Sequence, residues 1–387
     1  MRVDLDAFRW LLTRPGQQLL ERAAGAPEDP LRASAALRKD ANAEHVAAAL
    51  TQVELRRRAV PKFGEDAHRM YFTPDGLEQA TRRPVARHRA ARLVAASTGT
   101  LIDLGCGIGG DLIAAAEAGI TVAGIDLDPL RVEVARANLE ALGLGGAVTV
   151  ADATQVDHRG FDVAFADPAR RSVRGRTFSV DDWTPPWPFV QELLARNSCV
   201  KVAPGISHHL VPERVEAEWV SDHGEVKEAA LWSGSLATTR RRATVIGDGG
   251  LATLTDEDPV ADGVRAVGEY LYEPDGAVIR AGLVTTVAAG VGGGLVDEHI
   301  AYVTSDQAFR TPFARSYRVL EELPQREKQL RAALRERGIG RLTIKKRGVA
   351  VVPEELRKRL ALAGDTEGTI VLTRVAGKGV CLLVEPY

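Results

Sequence analysis

Cysteine is scarce in this sequence: 387 residues hold three, Cys106, Cys199 and Cys381, each far from the others. That spacing fits neither a disulfide framework nor a thiolate metal site, so no metal is expected. Aromatics are also few, at 5%. No apolar run reaches the roughly 18 residues that a membrane-spanning helix requires. The nearest, Gly282 to Val296, is broken by glycine and reads as strand and loop. The start, Met1-Arg2-Val3-Asp4, places an acid where a secretory leader needs its apolar stretch, so a cytoplasmic location without membrane contact is expected. Net charge is small as well, at -2. The charge that is present is unevenly spread: residues 247–300 carry ten acids against two bases, and residues 310–387 carry seventeen bases against nine acids. A basic terminal third of this kind can present a positive face to a polyanion.

At 45% hydrophobic and 26% charged, the chain is globular and long enough for two or three domains. Residues 1–96 read as a helical region, with Ala33 to Ala59 at helical spacing and Pro27, Pro30, Pro61, Pro74 and Pro84 separating helices. Residues 97–247 alternate strands and helices. The strands are Leu101 to Leu104, Thr121 to Asp126, Ala147 to Ala151, Phe161 to Ala166 and Ser198 to Ala203. This alternation predicts a mainly parallel sheet covered on both faces. Val226 to Trp232 and Arg242 to Ile246 are expected to pair antiparallel at its end. After a Gly- and Asp-rich linker, residues 262–387 show the order β-α-β-α-β-β of a ferredoxin-like α+β domain.

The chemistry concentrates in Asp103-Leu104-Gly105-Cys106-Gly107-Ile108-Gly109-Gly110-Asp111. A strand runs into a glycine turn and then a helix, so backbone can approach a ligand where any Cβ would collide. Gly105, Gly107 and Gly110 also fit the dinucleotide spacing, with Asp126 placed for a ribose diol. Two features favour S-adenosylmethionine over NAD. Asp103 lies in the mouth of the turn, where it would repel a pyrophosphate but hold an ammonium group. Asp126, Asp152 and Asp167 then end the next three strands, Asp152 being suited to an adenine amino group. Cys106 reads as a small filler in the turn.

From Leu101 to Asp167 the sequence resembles the class I S-adenosylmethionine-dependent methyltransferases. The resemblance rests on the glycine loop, Asp126, Ala151-Asp152-Ala153 and Asp167-Pro168. It implies a Rossmann-like seven-stranded core with its last strand antiparallel. Thr73-Pro74-Asp75 and Ala86-Arg87-His88 are similar to stretches of amino-directed RNA methyltransferases, trimethylguanosine synthases among them. Leu342 to Gly348 resembles the THUMP-like domain of bacterial methyltransferases.

The resemblance implies that Asp103, Gly105, Gly107, Gly109, Asp126, Asp152 and Thr81 hold the cofactor. It also implies that Asp167, Pro168 and Arg170 form the catalytic set for methylation of a base amino nitrogen of RNA. The family's usual aromatic after the proline pair is replaced here by Ala169 and Arg170. Stacking of the base then falls to Arg170, Phe178, Trp183 or Trp187. Arg170, Arg171, Arg174 and Arg176, with the basic C-terminal region, are the expected RNA contacts. Two other readings stay open on the sequence: an NAD-dependent oxidoreductase, and a non-catalytic RNA-binding protein that kept its cofactor pocket.

Overall fold

Helix starts in the N-terminal region are written in capping residues. Asp4, Thr13, Asp29, Asn42 and Thr73 each turn a side-chain oxygen onto the first turn of the helix that follows. The helices are α1 (Leu5–Leu11), α2 (Arg14–Ala24), α3 (Pro30–Leu37), α4 (Ala43–Phe63), α5 (Pro74–Gln79) and α6 (Arg83–Ala95). The computed structural model describes residues 4–27, 29–39, 41–170, 183–261 and 263–387. It divides into two compact units, Met1–Val215 with Ala230–Thr238 and Glu216–Ala229 with Thr239–Tyr387.

In the first unit the helices lead into β1 (Thr100–Leu104), α7 (Gly110–Glu117), β2 (Thr121–Asp126), α8 (Pro129–Leu142), β3 (Ala147–Val150) and β4 (Val163–Ala166). A two-residue hairpin of β5 (Ala169–Arg170) and β6 (Trp183–Thr184) follows, then α9 (Trp187–Leu194) and β7 (Ser198–Val202). The strands order as β7-β4-β1-β2-β3, and the pairs β4–β7, β1–β4, β1–β2 and β2–β3 are all parallel. Chain direction across the sheet reverses between β1 and β4, which opens a crevice beyond their carboxyl ends. Buried Phe8, Leu19, Leu55 and Phe72 from the helical region join Leu112, Val134 and Phe165 in one core. The helical region is therefore packed as part of this unit, not appended to it.

Two buried amides brace this packing: Asn138 ties the helical region to α8 and the loop after β1, and Gln52 ties α4 to the segment before α5. Asn138 of α8 accepts from Tyr71 N–H at 2.6 Å and donates to Tyr71 C=O at 3.0 Å and Ile108 C=O at 2.9 Å. Gln52 of α4 makes a reciprocal pair with the Phe72 backbone at 2.7 and 3.0 Å. Both side chains are fully buried, so each exchanges hydration for a complete set of protein partners.

The second unit begins with β8 (Glu216–Asp222) and the opening of β9 (Glu225–Ser233), whose residues from Ala230 on belong to the first unit, and continues with β10 (Arg241–Gly247) and β11 (Gly250–Thr255). The expected antiparallel pairing of Val226 to Trp232 with Arg242 to Ile246 does not occur. Strand β8 lies between them and runs parallel to β10, from Ala217 opposite Arg241 to Asp222 opposite Ile246. Its acids disguised it as surface. Glu216 and Glu218 are fully buried, held by Arg242 at 2.7 Å and by the Thr244 hydroxyl at 2.5 Å.

Next come β12 (Tyr270–Pro274), α10 (Gly276–Ala281), α11 (Val284–Gly290), β13 (Gly294–Asp297) and β14 (Ile300–Ser305). The stretch expected as strand and loop from Gly282 thus opens with a helix; Gly290 and Gly292 end it before β13 begins. The chain closes with β15 (Ala314–Leu323), α12 (Glu327–Glu336), β16 (Ile339–Lys346), α13 (Pro353–Leu360), β17 (Thr366–Val375) and β18 (Lys378–Pro386), the expected ferredoxin-like order. Its strands lie β15-β18-β17-β16, extended by β12, β14 and β13 into a seven-stranded sheet. Strand periodicity explains why both faces are covered: Ile370 and Leu372 meet Leu330, Leu334, Leu356 and Leu360, while Val371 meets Tyr302 and Leu382.

Candidate active site

Beyond the carboxyl ends of β1 and β4 lies a cavity of about 330 Å³. Its wall combines the glycine loop after β1, Asp111 of α7, Phe165 and Asp167 at the end of β4, Lys201 of β7 and the segment Gly76 to Thr81. Asp103 and Lys201, about 100 positions apart in sequence, meet here because the sheet sets β1, β4 and β7 side by side.

The loop is fixed by backbone first. Gly105 N–H and Cys106 N–H both donate to Ile125 C=O, at 3.0 and 2.9 Å. Asp126, at the end of β2, accepts from Gly107 N–H at 3.0 Å and Asp128 N–H at 2.9 Å. Gly105 and Gly107 adopt φ values of 125° and 55°, conformations that favour glycine, and a Cβ on either would project into open space. Gly109 plays a different part. At φ 88° it caps α7, and a Cβ there would lie 3.4 Å from Ala135. Cys106 Sγ packs 3.1 Å from the Cβ position of Gly124, and burial pushes its thiol well up from the ordinary value, Asp103 and Asp126 adding to the effect. It fills space in the turn against Gly124.

Asp103 sits at the floor of the cavity, 1% exposed, and its Oδ1 has no hydrogen-bond partner among the described residues. Burial pushes its carboxyl well above the ordinary range; Asp111, Asp167 and Asp126 add to the rise and Arg89 opposes it. A buried carboxylate in this state is incomplete without a cation. An ammonium-bearing ligand supplies one, and the crevice over Gly105 and Gly107 admits its body. The residues present thus fit S-adenosylmethionine, whose amino group Asp103 could meet.

A chain of polar contacts runs round the rim. Thr81 Oγ1 donates to Asp111 Oδ2 at 2.7 Å, and Asp111 Oδ1 is paired with Arg89. The Arg89 guanidinium lies 4.7 Å from the centre of the Phe165 ring. Lys201 Nζ donates to Asp167 Oδ2 at 2.5 Å and to Thr81 Oγ1 at 3.2 Å. Sequence reasoning passed over Lys201, Asp111 and Arg89. A lysine in the apolar strand Ser198 to Val202 gives no local signal; only the register of β4 with β7, Ala166 opposite Val200, brings it to Asp167.

The remaining expected residues fall as follows. Thr81 and Asp167 line the cavity with Asp103, Gly105 and Gly107, whereas Gly109, Asp126, Asp152 and Pro168 stand outside its wall. Asp152 is exposed, and its carboxylate accepts from Thr154 N–H at 2.9 Å and Thr154 Oγ1 at 2.8 Å, bonds that hold its carboxyl below the ordinary range. Arg170 pairs through its backbone with Trp183. Arg171, Arg174, Arg176 and Phe178 lie outside the described residues. Trp183 is buried, with its ring edge-on to Trp187 at 5.2 Å. In the second unit, Lys345 is bound to Glu273 at 2.6 Å, while Lys346 is exposed.

Comparison with known proteins agrees with this geometry. A methyltransferase-domain family model matches residues 101–171, a THUMP domain-like model matches residues 314–386, and a domain of unknown function matches residues 4–59. An uncharacterised S-adenosylmethionine-dependent methyltransferase of Mycobacterium tuberculosis is 40% identical over 345 residues, covering 86% of this chain and 94% of the relative. The crystal structure of a putative methyltransferase from Porphyromonas gingivalis shares the fold with a TM-score of 0.74, at 24% identity, over 99% of this chain and 98% of that one. A glycine-lined crevice with a cation-seeking carboxylate at its floor, and a relative this similar along most of its length, lead to one conclusion: the chain belongs to the S-adenosylmethionine-dependent methyltransferases, with a THUMP-like region at its C-terminal end.

Proposed function

We propose that this methyltransferase modifies a base amino nitrogen of RNA. The observation that carries the reading is the position of Asp167: its carboxylate ends β4 and enters the wall of the same cavity whose floor is Asp103 and whose cradle is Gly105 to Gly107. Bound S-adenosylmethionine supplies an electrophilic methyl group; everything else falls to the chain. An exocyclic amine is a weak nucleophile because its lone pair is delocalised into the ring. Asp167 accepts a hydrogen bond from that amine, orients the nitrogen, and takes the proton that the nitrogen sheds once it is methylated. Asp103, Thr81 and the glycine loop hold the cofactor, with Asp126 fixing the loop from below.

The polyanionic character of the substrate is supported by the surplus of bases over acids in residues 310–387, and by Arg170, Arg171, Arg174 and Arg176 next to Asp167 in sequence. The test is transfer of tritiated methyl to total RNA from a strain lacking the enzyme, followed by mass spectrometry of the nucleosides. Wild-type enzyme is expected to yield an N-methylated base. The Asp167→Ala variant is expected to lose incorporation while still binding S-adenosylhomocysteine in calorimetry. Label found on carbon or a ribose oxygen, or an active Asp167→Ala enzyme, removes Asp167 from the role given to it here.

A further inference from the structure

We infer that Lys201 is a positioning residue for transfer: its ammonium holds the Asp167 carboxylate in place and aimed into the cavity. The inference rests on the reading of Asp167 as the group that receives the acceptor's proton. Three observations support it. The Lys201 side chain is only 15% exposed, though a lysine at a strand end is free to extend into water, and it spans instead to Asp167 Oδ2 at 2.5 Å. Its direction is fixed from a second side: Thr81 spends its single proton on Asp111 at 2.7 Å, so the hydroxyl oxygen faces Lys201 Nζ at 3.2 Å as an acceptor.

The third observation is the charge balance around the cavity. Asp103 of β1, Asp111 of α7, Asp126 at the end of β2 and Asp167 after β4 are four carboxylates. Among the described residues, the cations that meet them are Arg89 of α6, paired with Asp111, Arg131 of α8, 3.9 Å from Asp126, and Lys201, on Asp167. A charge-assisted hydrogen bond orients a carboxylate as well as balancing its charge. Lys201 provides that bond at the carboxylate which the proposed function turns toward the acceptor.

The test uses Lys201→Met and Lys201→Arg in the full-length protein labelled with carboxyl-13C aspartate, with the Asp167 signal assigned by its loss in Asp167→Asn. Removing the ammonium is expected to displace the Asp167 carboxyl signal, and Lys201→Arg is expected to bring it back. In the RNA assay the rate constant falls roughly 10–100-fold in Lys201→Met, with little change in KM, and Lys201→Arg recovers it. Thermal unfolding establishes that each variant is folded; if Lys201→Met is not, Lys201→Gln takes its place. An unmoved signal in a folded variant overturns the inference. A wild-type enzyme that methylates no RNA refutes the substrate reading instead, and the carboxyl signal still decides the role of Lys201.

Discussion

Replacing Asp103 by asparagine separates the cost of this carboxyl from its use. With its folded value raised well above the ordinary 3.8, native Asp103 retains a proton that the unfolded chain has already lost. Its stabilising contribution is therefore complete below pH 3.8 and declines as pH rises through the folded value, by at most about 1.4 kcal/mol per pH unit. Asparagine does not titrate. The melting-temperature advantage of Asp103→Asn over wild type, measured without cofactor, must therefore widen as pH rises from 3.8 toward the folded value. For a unit of this size each kcal/mol corresponds to about 2–4 °C.

Cofactor reverses the balance. An ammonium facing Oδ1 makes a charge-assisted hydrogen bond worth about 1.5–3 kcal/mol, so Asp103→Asn is expected to bind S-adenosylhomocysteine roughly 10–150-fold more weakly. Binding to wild type ionises Asp103, and the released proton makes affinity fall as pH falls. Calorimetry in two buffers of different ionisation enthalpy counts that proton; Asp103→Asn should release none. A stability gap that stays flat with pH, together with equal affinity in the two proteins, would refute the reasoning.

Other expectations follow from the same geometry. Gly105→Ala places a methyl at φ 125° in the space meant for ligand, so S-adenosylhomocysteine affinity should drop at least tenfold, as calorimetry can show, alongside a backbone cost of about 1–3 kcal/mol. Asn138→Ala strands a buried N–H and two carbonyls; a loss of about 3 kcal/mol, or about 6–12 °C in melting temperature, is expected. Because one of those carbonyls belongs to Ile108, cofactor affinity should weaken with it.

The sequence made the strand-end logic legible wherever neighbouring residues carry it. Asp103, the glycines after it and Asp167 follow runs of apolar residues, so a short window suffices to place them at the mouth of a parallel sheet. The acid after β3 shows the limit of that logic. Asp152 follows a strand as expected, yet it stands outside the cavity wall and its Oδ1 is engaged by Thr154, because an aspartate beginning a tight turn bonds its own chain. Lys201, Arg89 and Asp111 are invisible locally, since each matters only through partners 22 to 120 residues away. Strand β8 escaped notice for a related reason: Glu216 and Glu218 read as solvent-facing until Arg242 and Thr244 are known to lie across from them.

The chamber around Asp103 is walled on one side by Gly76 to Thr81, and Asn138 ties the segment leading into that wall to the glycine loop. Trimming the protein to its sheet-forming portion would thus remove a side of the reaction vessel and strip that buried anchor of its Tyr71 partners. The leading helices are masonry of the catalytic room, and any minimal enzyme built from this chain has to keep them.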